Sequence, residues 1–509
     1  MKHLVILIML GLIIPSTYSQ SLSDDIDISE GYYGVIPLPE SAPAAFHTDN
    51  FVKYTKIQCP NGEAIHFVAQ DQISDAQIIR ARTLLEFYLT DIPGSEYGFD
   101  KSEVLNQMGT NDALLLLING SDDGTFEPTV FGQPLYEEEM AVEGHSWYQI
   151  NDYEHRDASF EEILHLMHDM GIGIDGEGGM PGALPEYQTE SRTAQENAGL
   201  DDFAIWPIGA GSIPEIESWY MELSEENSLS QEYLASVIDS YYGLWEAWEE
   251  DPTTGMWGIY TAHNRAEIET EDPSGWALLP KYFSPVINVD MIIDPSFEGI
   301  FSITNDPDIP YTHKSQYLQH CFLVGTNNAG LKGNQHYNRL KGNGGNNSFE
   351  GLKGNDRLDG QAGENTAIFT GPYSDYTITN FDTYAIVDDG VDDRDATDTL
   401  WNMHHLQFID ELVDITLESS VIGINQNEIN DNIVAIYPNP STDFVNVNLP
   451  VFVDQILIKI YGTRGNLVYS KNFYETQHLE INTSNFARGI YQIQIEYNNV
   501  VEQQKLLKQ

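Results

Sequence analysis

Four consecutive nine-residue segments, at residues 333–368, decide the fold of the middle of this chain. They are G-N-Q-H-Y-N-R-L-K, G-N-G-G-N-N-S-F-E, G-L-K-G-N-D-R-L-D and G-Q-A-G-E-N-T-A-I. Glycine opens each segment, at Gly333, Gly342, Gly351 and Gly360. The eighth position is apolar, at Leu340, Phe349, Leu358 and Ala367. The fourth position holds His336, Gly345, Gly354 and Gly363, and the sixth holds Asn338, Asn347, Asp356 and Asn365. This period predicts a parallel solenoid in which each segment forms one turn and one short strand.

The repeats resemble the calcium-binding nonapeptide G-G-x-G-x-D-x-U-x of the RTX, or haemolysin, type. The resemblance implies a short parallel β-roll within residues 325–368 that binds Ca²⁺ between turns. The residues expected at these sites are Gly342, Gly345, Asn347, Gly351, Gly354, Asp356, Gly360, Gly363 and Asn365. Because asparagine carries no charge, we expect one or two weak sites centred on Asp356, with Asn347 and Asn365 beside it. The alternative is a roll held by packing and asparagine side chains, without an ion.

The last segment, residues 433–509, carries a second pattern. It includes Y-P-N-P-S-T-D-F-V-N-V at residues 437–447, an alternating run of isoleucines after residue 455, and G-I-Y-Q-I-Q-I from Gly489. The segment resembles the C-terminal sorting domain of cargo of the type IX secretion system. The resemblance implies a small β-sandwich that directs export across the outer membrane, with the type IX machinery as its partner. An ordinary β-sandwich binding module is the alternative.

Residues 1–19 have the features of a secretory signal peptide. Lys2 supplies a positive charge, residues 4–14 form an apolar core, and small residues precede the expected cleavage before Gln20. The apolar run is too short for a permanent transmembrane helix, and no later stretch is long and apolar enough to form one. We therefore expect a protein that is exported through the periplasm and is secreted or held at the cell surface. Residues 20–45 are polar and acidic, and we predict a disordered lead-in there.

The chain is strongly acidic, with 79 Asp and Glu against 23 Lys and Arg and a formal net charge of −56. Repulsion from phosphate groups excludes nucleic acid as an expected partner. An acidic surface suits a salty or calcium-rich medium, or serves solubility alone. The two cysteines, Cys59 and Cys321, either form a disulfide in an oxidising compartment or remain two buried thiols.

Residues 46–310 have the composition of an α/β, or α+β, domain of unassigned activity. Hydrophobic periodicity predicts helices, the first capped by Ser74, at residues 71–90, 160–170 and 229–250. The run A-L-L-L-L-I at residues 113–118 predicts a buried strand. Residues 369–420 are predicted to form a β cap, because the open end of a solenoid exposes apolar surface. The predicted fold class is therefore multidomain: an α/β domain, a short parallel β-roll with its cap, and a C-terminal β-sandwich.

A candidate metal-binding helix lies at residues 159–171, S-F-E-E-I-L-H-L-M-H-D-M-G. It resembles the H-E-x-x-H helix of zincin metallopeptidases, with glutamate in place of the first histidine. Ligands four residues apart share one face of a helix, and the family's glutamate activates the attacking water. The resemblance implies Glu161 and His165 as zinc ligands and Glu162 as general base. His168 is an alternative ligand, and the candidates for a third ligand are Glu186, Glu190 and Glu232.

A purely structural interpretation of this helix also exists. Ser159 and Glu162 have the spacing of a capping box, and the apolar residues between the polar ones indicate a buried helix. The sequence therefore does not decide whether the protein is an enzyme, and three functions stay open. These are an exported calcium-binding protein, a secreted zinc-dependent hydrolase, and a glycan-binding adhesin. The last would use the aromatic residues of the N-terminal domain, among them Trp206, Trp219, Trp245, Trp248, Trp257 and Trp276.

Overall fold

A computed structural model describes residues 21–145, 157–176, 179–199, 204–207, 214–244, 259–304, 317–381, 383–415, 434–437, 444–462, 467–483, 486, 488–497 and 500–508. The predicted signal peptide, the P-N-P motif, Trp245, Trp248 and Trp257 lie outside these residues. The chain divides into two compact units, Met1–Ser420 and Val421–Gln509. Within the described ranges, no helix has the length and apolar character needed to cross a bilayer.

A five-stranded sheet begins the larger unit. Its strands, in spatial order β1-β2-β3-β4-β5, are Ile36–Pro37, Phe51–Gln58, Ala64–Gln70, Leu114–Ile118 and Gln133–Tyr136. The first three are antiparallel, and β4 and β5 extend the sheet in parallel with β3. All of β4 is buried, as its apolar sequence predicted, because both faces of the sheet are covered.

Helices lie on both faces of this sheet: Phe46 of the first helix shares an apolar cluster with Leu116, and Leu84 of the second shares another with Leu115. Their bounds are α1 Ala44–Thr48, α2 Asp75–Tyr88, α3 Ser102–Thr110, α4 Ser159–Met167, α5 Pro185–Ala198, α6 Pro214–Glu226, α7 Leu229–Tyr241, α8 Arg265–Glu271 and α9 Pro273–Leu278. Ser74 caps α2 as predicted, because its hydroxyl accepts the N–H of Gln77 and the Gln77 side chain accepts the N–H of Ser74. A π-helical turn, His168–Ile172, follows α4 without a break. Short 3₁₀ turns lie at Glu137–Glu139, Leu279–Lys281 and Tyr373–Asp375.

The prediction of disorder in the lead-in at residues 20–45 was wrong for its described part, residues 21–45. Strand β1 pairs with β2, and Leu22 is buried. Asp24 accepts the N–H of Ala64 at 2.8 Å, and its carbonyl accepts a bond from Lys56. The polar composition was misleading because the few apolar residues of the segment, which include Leu22, Val35 and Leu38, are the ones that it buries.

The glycine-rich segments form strands that alternate between two parallel sheets, so that one circuit of the chain takes 18 residues. One sheet has the order β14-β15-β16-β12-β10-β8-β6, and its strands in chain order are Ile287–Ile292, Leu318–Phe322, Arg339–Lys341, Arg357–Asp359, Tyr376–Asn380, Tyr384–Asp389 and Thr397–Trp401. The other has the order β18-β17-β13-β11-β9-β7, and its strands are Gly299–Ser302, Ala329–Lys332, Ser348–Glu350, Thr366–Ile368, His405–Gln407 and Leu412–Asp414. The apolar column points inward and is fully buried.

The parallel ladders extend beyond the glycine-rich segments at both ends. Strands β6 and β7, assigned from sequence to the N-terminal domain, pair in parallel with β8 and β9. Strands β16 and β17, assigned to the cap, continue the ladders from β12 and β13. The predicted boundaries at residues 310, 325 and 369 therefore cut across one structure. The periodicity missed the last turn because strands β14 and β15 are inserted before β16. Residues paired between β12 and β16 are therefore 42 positions apart in sequence, instead of the 18 positions that separate β10 from β12.

One continuous apolar core joins the helices to the two parallel sheets, and it includes Leu84 of α2, Leu166 of α4 and Leu358 of β12. The α/β part and the repeats are therefore one folding unit and not two separate domains. Cys59 and Cys321 are free thiols buried in this core, which decides the open question of a disulfide. Burial raises the pKa of both thiols.

The smaller unit is built of antiparallel strands. They are Ala435–Tyr437, Phe444–Gly462, Leu467–Asn482, Gly489–Tyr497 and Val500–Lys508, numbered β19 to β23. The long strand β20 pairs with β19, β21 and β22, and its pairing with β21 shifts register between Asn448 and Val453. Both pairing regions contribute to one core, which includes Val447 and the alternating Ile456, Ile458 and Ile460. The sandwich arrangement of this all-β unit stays a prediction.

Candidate metal centre

Helix α4 starts with an arrangement that the sequence did not predict. Its N-cap is Ala158, and the carboxylate of Asp157 accepts bonds from the N–H and the hydroxyl of Ser159 at 3.1 and 2.7 Å. Arg80 holds Asp157 from the other side at 2.6 Å. The capping box of Ser159 and Glu162 is therefore wrong, because Ser159 lies inside the helix and bonds to Asp157. The Glu162 side chain instead accepts a bond from Gln133 of strand β5 at 2.7 Å.

Three side chains from two helices meet beside α4. Glu161 and His165 lie one turn apart on α4, and Glu232 reaches them from the first turn of α7. One ligand atom from each of the three lies within 4.8 Å of the other two. Nε2 of His165 lies 3.7 Å from Oε1 of Glu232. The side chains of His165 and Glu232 are only 11% and 7% exposed, so water screens their charges little.

The two ring nitrogens of His165 face different carboxylates. Nδ1 lies 3.5 Å from Oε2 of Glu162, and Nε2 faces Glu232. Nε2 is buried and makes no hydrogen bond within the described part of the chain. Glu162, expected to act as the base, thus lies against Nδ1 and not against Nε2, the nitrogen that faces Glu232.

The electrostatic environment of the cluster is acidic. Burial by itself lowers the pKa of His165, but the negative charges of Glu232, Glu162 and Asp169 together raise it to about 9. Burial also raises the pKa of Asp169 to about 6, against the opposing effect of His165. Asp169 accepts a hydrogen bond from Gln231, the neighbour of Glu232 in sequence. Because three carboxylates act on one imidazole, the site has an excess of negative charge that a divalent cation would balance.

The structure places the other predicted ligands elsewhere. Nε2 of His168 lies 2.6 Å from the amide oxygen of Gln188, and burial lowers the pKa of His168 to about 4. Glu190 binds Lys281 at 2.7 Å and accepts a bond from Tyr97. Glu186 is exposed. Of the candidates for a third ligand, Glu232 alone joins Glu161 and His165 among the described residues.

In the repeats, the predicted calcium ligands form hydrogen-bonded ladders. Oδ1 of Asn365 accepts the N–H of Asn347 on the adjacent turn at 2.9 Å, and Oδ1 of Asn347 accepts the N–H of Asn343. In the other ladder, Oδ1 of Asp356 accepts the N–H of Asn338 at 2.7 Å. Asn347 and Asn365 therefore belong to one ladder and Asp356 to the other, so the predicted grouping of these three residues around one ion was wrong.

The neighbour of Asp356 on the next turn is Asp398, whose Oδ1 accepts the N–H of Asp356 at 2.9 Å. Both side chains are buried, and Oδ2 of Asp356 has no hydrogen-bond partner among the described residues. Burial, followed by the charge of Asp398, raises the pKa of Asp356 well above its usual value, and burial likewise raises the pKa of Asp398. The sequence analysis missed Asp398, although D-T-L-W at residues 398–401 repeats the spacing of D-R-L-D at residues 356–359.

The predicted glycines lie where successive turns touch. A Cβ added at any of these six glycines would come within 2.5 Å of another heavy atom. They are Gly342, Gly345, Gly351, Gly354, Gly360 and Gly363. At Gly363 that atom is the carbonyl oxygen of Gly345 at 2.1 Å, and φ is +82°. Close packing of the turns therefore accounts for these glycines without an ion.

The described tryptophans of the N-terminal region contribute to packing. Trp206 is fully buried, and its Nε1 donates to Ser236 at 3.0 Å. Trp219 and Trp276 are partly buried against the same core. These three rings do not form an exposed platform for a sugar, so the predicted glycan contact has no support from them.

Comparison with known proteins bears mainly on the smaller unit. Residues 435–509 match the family model of the secretion system C-terminal sorting domain. A solved structure of a DUF3244 family protein from Bacteroides vulgatus, with an immunoglobulin-like β-sandwich fold, is 15% identical and has a TM-score of 0.14, and the match covers 16% of this chain and 88% of that one. No curated protein matches the chain. The predicted sorting domain is thus confirmed: the chain ends in a type IX sorting domain, which makes it a secreted or cell-surface protein that uses the type IX machinery.

Proposed function

We propose that the larger unit of this exported protein is a metal-dependent hydrolase whose divalent ion is held by Glu161, His165 and Glu232. The observation that carries the proposal is the convergence of these side chains from α4 and α7, with ligand atoms within 4.8 Å of one another. The buried Nε2 of His165, which makes no hydrogen bond within the described ranges, is the atom that would bind the ion.

The ligand set favours zinc. Ca²⁺ and Mg²⁺ take oxygen ligands, whereas one imidazole with two carboxylates suits Zn²⁺. Two ligand atoms at ~2.1 Å from a tetrahedral zinc ion lie roughly 3.4 Å apart. The 3.7 Å between His165 and Glu232 is close to that separation, so only a small closure of the side chains is needed. A bound zinc ion would supply a Lewis acid that polarises a carbonyl group and acidifies a water molecule.

Metal analysis of the full mature chain tests this proposal. After chelation and dialysis against Zn²⁺, we expect about one zinc ion per chain. Glu161→Gln and Glu232→Gln should each weaken binding at least 10-fold, because each removes a charged ligand. Glu186→Gln is the matched control, since Glu186 is exposed outside the cluster.

Hydrolysis of p-nitrophenyl acetate and of fluorescent casein, measured before and after chelation, tests the catalytic part. We expect activity that chelation removes and Zn²⁺ restores. Wild-type protein that retains no stoichiometric metal, or variants that bind zinc as well as the wild type, would contradict the metal site.

A calcium site in the repeats is a second proposal, favoured by the buried pair Asp356 and Asp398. An ion between two adjacent turns would balance the negative charges of the two carboxylates, each of which otherwise disfavours ionisation of the other. Carboxylate oxygens are also the ligands that Ca²⁺ prefers. The full chain is the proper sample, because the repeats share a core with the helices. Millimolar Ca²⁺ should raise the thermal midpoint of the wild type and not that of Asp398→Asn. An equal response of both proteins would contradict the site.

A further inference from the structure

The zincin pattern assigns proton transfer to Glu162, but the structure distributes the roles differently. On the basis of the metal centre proposed above, we infer that Asp169 is the residue that accepts the proton of the attacking water, and that Glu162 positions His165. The inference deepens the proposed function, since it names a catalytic residue that the sequence pattern does not include.

The geometry of Glu162 is that of a positioning residue. Its Oε2 accepts the amide N–H of Gln133 at 2.7 Å and lies 3.5 Å from Nδ1 of His165. The atom of His165 that faces Glu232 is the other ring nitrogen, Nε2. A carboxylate against Nδ1 fixes the tautomer and orientation of the ring, so that Nε2 would be the nitrogen left to hold an ion. Glu162 is therefore engaged by Gln133 and by the Nδ1 side of the ring, whereas Glu232 lies on the Nε2 side.

Asp169 contacts the first turn of α7, the helix that carries Glu232. It follows His165 by four residues, which places both on one face of the helix. It belongs to the π-helical turn His168–Ile172, an irregularity that is frequent at functional sites. Its Oδ1 accepts a hydrogen bond from Gln231, so it is tied to the residue next to Glu232.

The hydrogen bonding of Asp169 leaves it able to act. The bond from Gln231 is the one hydrogen bond that the side chain of Asp169 makes within the described part of the chain, and it uses Oδ1. Oδ2 is therefore available to accept a proton. The charge of Asp169 also acts directly on His165, as expected for a neighbouring group.

The proposed step is a hydrolysis of an acyl bond. As the oxygen of water forms a bond to the carbonyl carbon, one water proton moves to Oδ2 of Asp169 and the π electrons of the carbonyl move to its oxygen. The pair then re-forms the carbonyl as the bond to the leaving atom breaks, and Asp169 returns the proton to that atom. No oxidant or further co-reactant is required.

Two variants of the full chain separate the roles. Asp169→Asn should keep zinc affinity within about 3-fold of the wild type and lower kcat for p-nitrophenyl acetate about 100-fold or more, with little change in KM. Glu162→Gln should lower zinc affinity about 10- to 100-fold, and its fully loaded form should lose much less kcat than Asp169→Asn. Affinity is measured by competition with a chromogenic chelator.

Cobalt substitution gives a readout that needs no substrate. Glu162→Gln should shift the visible absorption bands of the Co²⁺-loaded protein, because the imidazole ligand changes its basicity and orientation. Asp169→Asn should leave the bands in place and shift the pH at which they change. The reverse pattern, with Glu162→Gln affecting kcat alone and Asp169→Asn affecting the metal, would overturn the inference. Wild-type protein that binds neither Zn²⁺ nor Co²⁺ would instead refute the metal centre itself.

Discussion

The asparagine ladders of the repeats and the cluster of Glu161, His165 and Glu232 are both buried and polar, yet they differ in how the polar groups are satisfied. In the ladders, an oxygen such as Oδ1 of Asn365 accepts the backbone N–H of the neighbouring turn. In the cluster, His165 faces carboxylates at 3.5 and 3.7 Å, and its Nε2 makes no hydrogen bond within the described ranges.

The difference separates structure from function. A buried polar group that is fully hydrogen-bonded stabilises one fold and has little capacity left for a ligand. A buried group without a partner is costly unless a ligand completes it, so it marks a candidate site. The asparagines of the ladders, which the sequence analysis placed among the calcium ligands, therefore have their side-chain oxygens already engaged by backbone N–H groups. The stronger candidate for binding lies on helices α4 and α7.

The largest expected effect comes from breaking the contact between turns at Gly363. Gly363→Ala places a Cβ 2.1 Å from the carbonyl oxygen of Gly345 at a φ of +82°, and it should cost about 3 kcal/mol or more of unfolding free energy. Gly62→Ala is the control, since φ is +93° there but nothing lies within 4 Å. It should cost only about 1 kcal/mol. Urea unfolding measures both, and equal losses would contradict the close packing of the turns.

A smaller effect is expected from breaking one ladder. Asn347→Leu removes the acceptor of the Asn343 N–H and the donor to the Ala329 carbonyl, both in buried surroundings. Unsatisfied buried groups cost about 1–3 kcal/mol each, so we expect a loss of about 2–3 kcal/mol. Asn346→Leu also removes an acceptor between turns, that of the Glu364 N–H, but at an exposed position where water can replace it, so it should cost less than about 1 kcal/mol. If the two variants unfold at the same urea concentration, the buried bonds of Asn347 contribute no more stability than the exposed bond of Asn346.

The smallest effect concerns the pair Asp356 and Asp398. Both carboxyl groups have a higher pKa in the folded protein than in the unfolded chain, where the pKa of aspartate is about 3.9. Folding is therefore accompanied by proton uptake at pH values between the unfolded and the folded pKa. The stability that protonation supplies is complete below about pH 4 and is lost as pH rises through the folded pKa values. Asp398→Asn should therefore reduce this loss by about 1.4 kcal/mol per unit of raised pKa.

The measurement for this pair is urea unfolding in metal-free buffer between pH 4 and pH 7. Asp393→Asn is the control, because the side chain of Asp393 is 82% exposed. Asp395 and Asp389 also act electrostatically on the pair. Both residues are unchanged in the two variants, so their effect on the pH profile is common to both. A pH profile of Asp398→Asn that parallels the wild type would show that the pair does not couple folding to protons.

Sequence periodicity was reliable where one residue type repeats a local requirement. The glycine and apolar columns located the turns and the inward face around Leu340 and Leu358, and the pattern from residue 433 onward located the sorting domain, whose family match begins at residue 435. Local patterns were less reliable for helix ends. The residue that caps α4 from outside is Asp157, and it is held there by Arg80 of α2, a contact distant in sequence that no short pattern contains.

The sequence by itself determined the solenoid turns, the buried strand β4 and the export route, because these depend on local backbone geometry or on a segment that folds as a unit. It also named Glu161, His165 and Glu232, but among other candidates. Only the tertiary structure shows which of the candidate glutamates, Glu186, Glu190 or Glu232, lies beside Glu161 and His165. It also shows that Glu162 contacts Nδ1 of His165 and that Asp398 lies beside Asp356. The physical reason is that a site depends on which distant side chains share one buried volume, and the packing of helices and turns decides that.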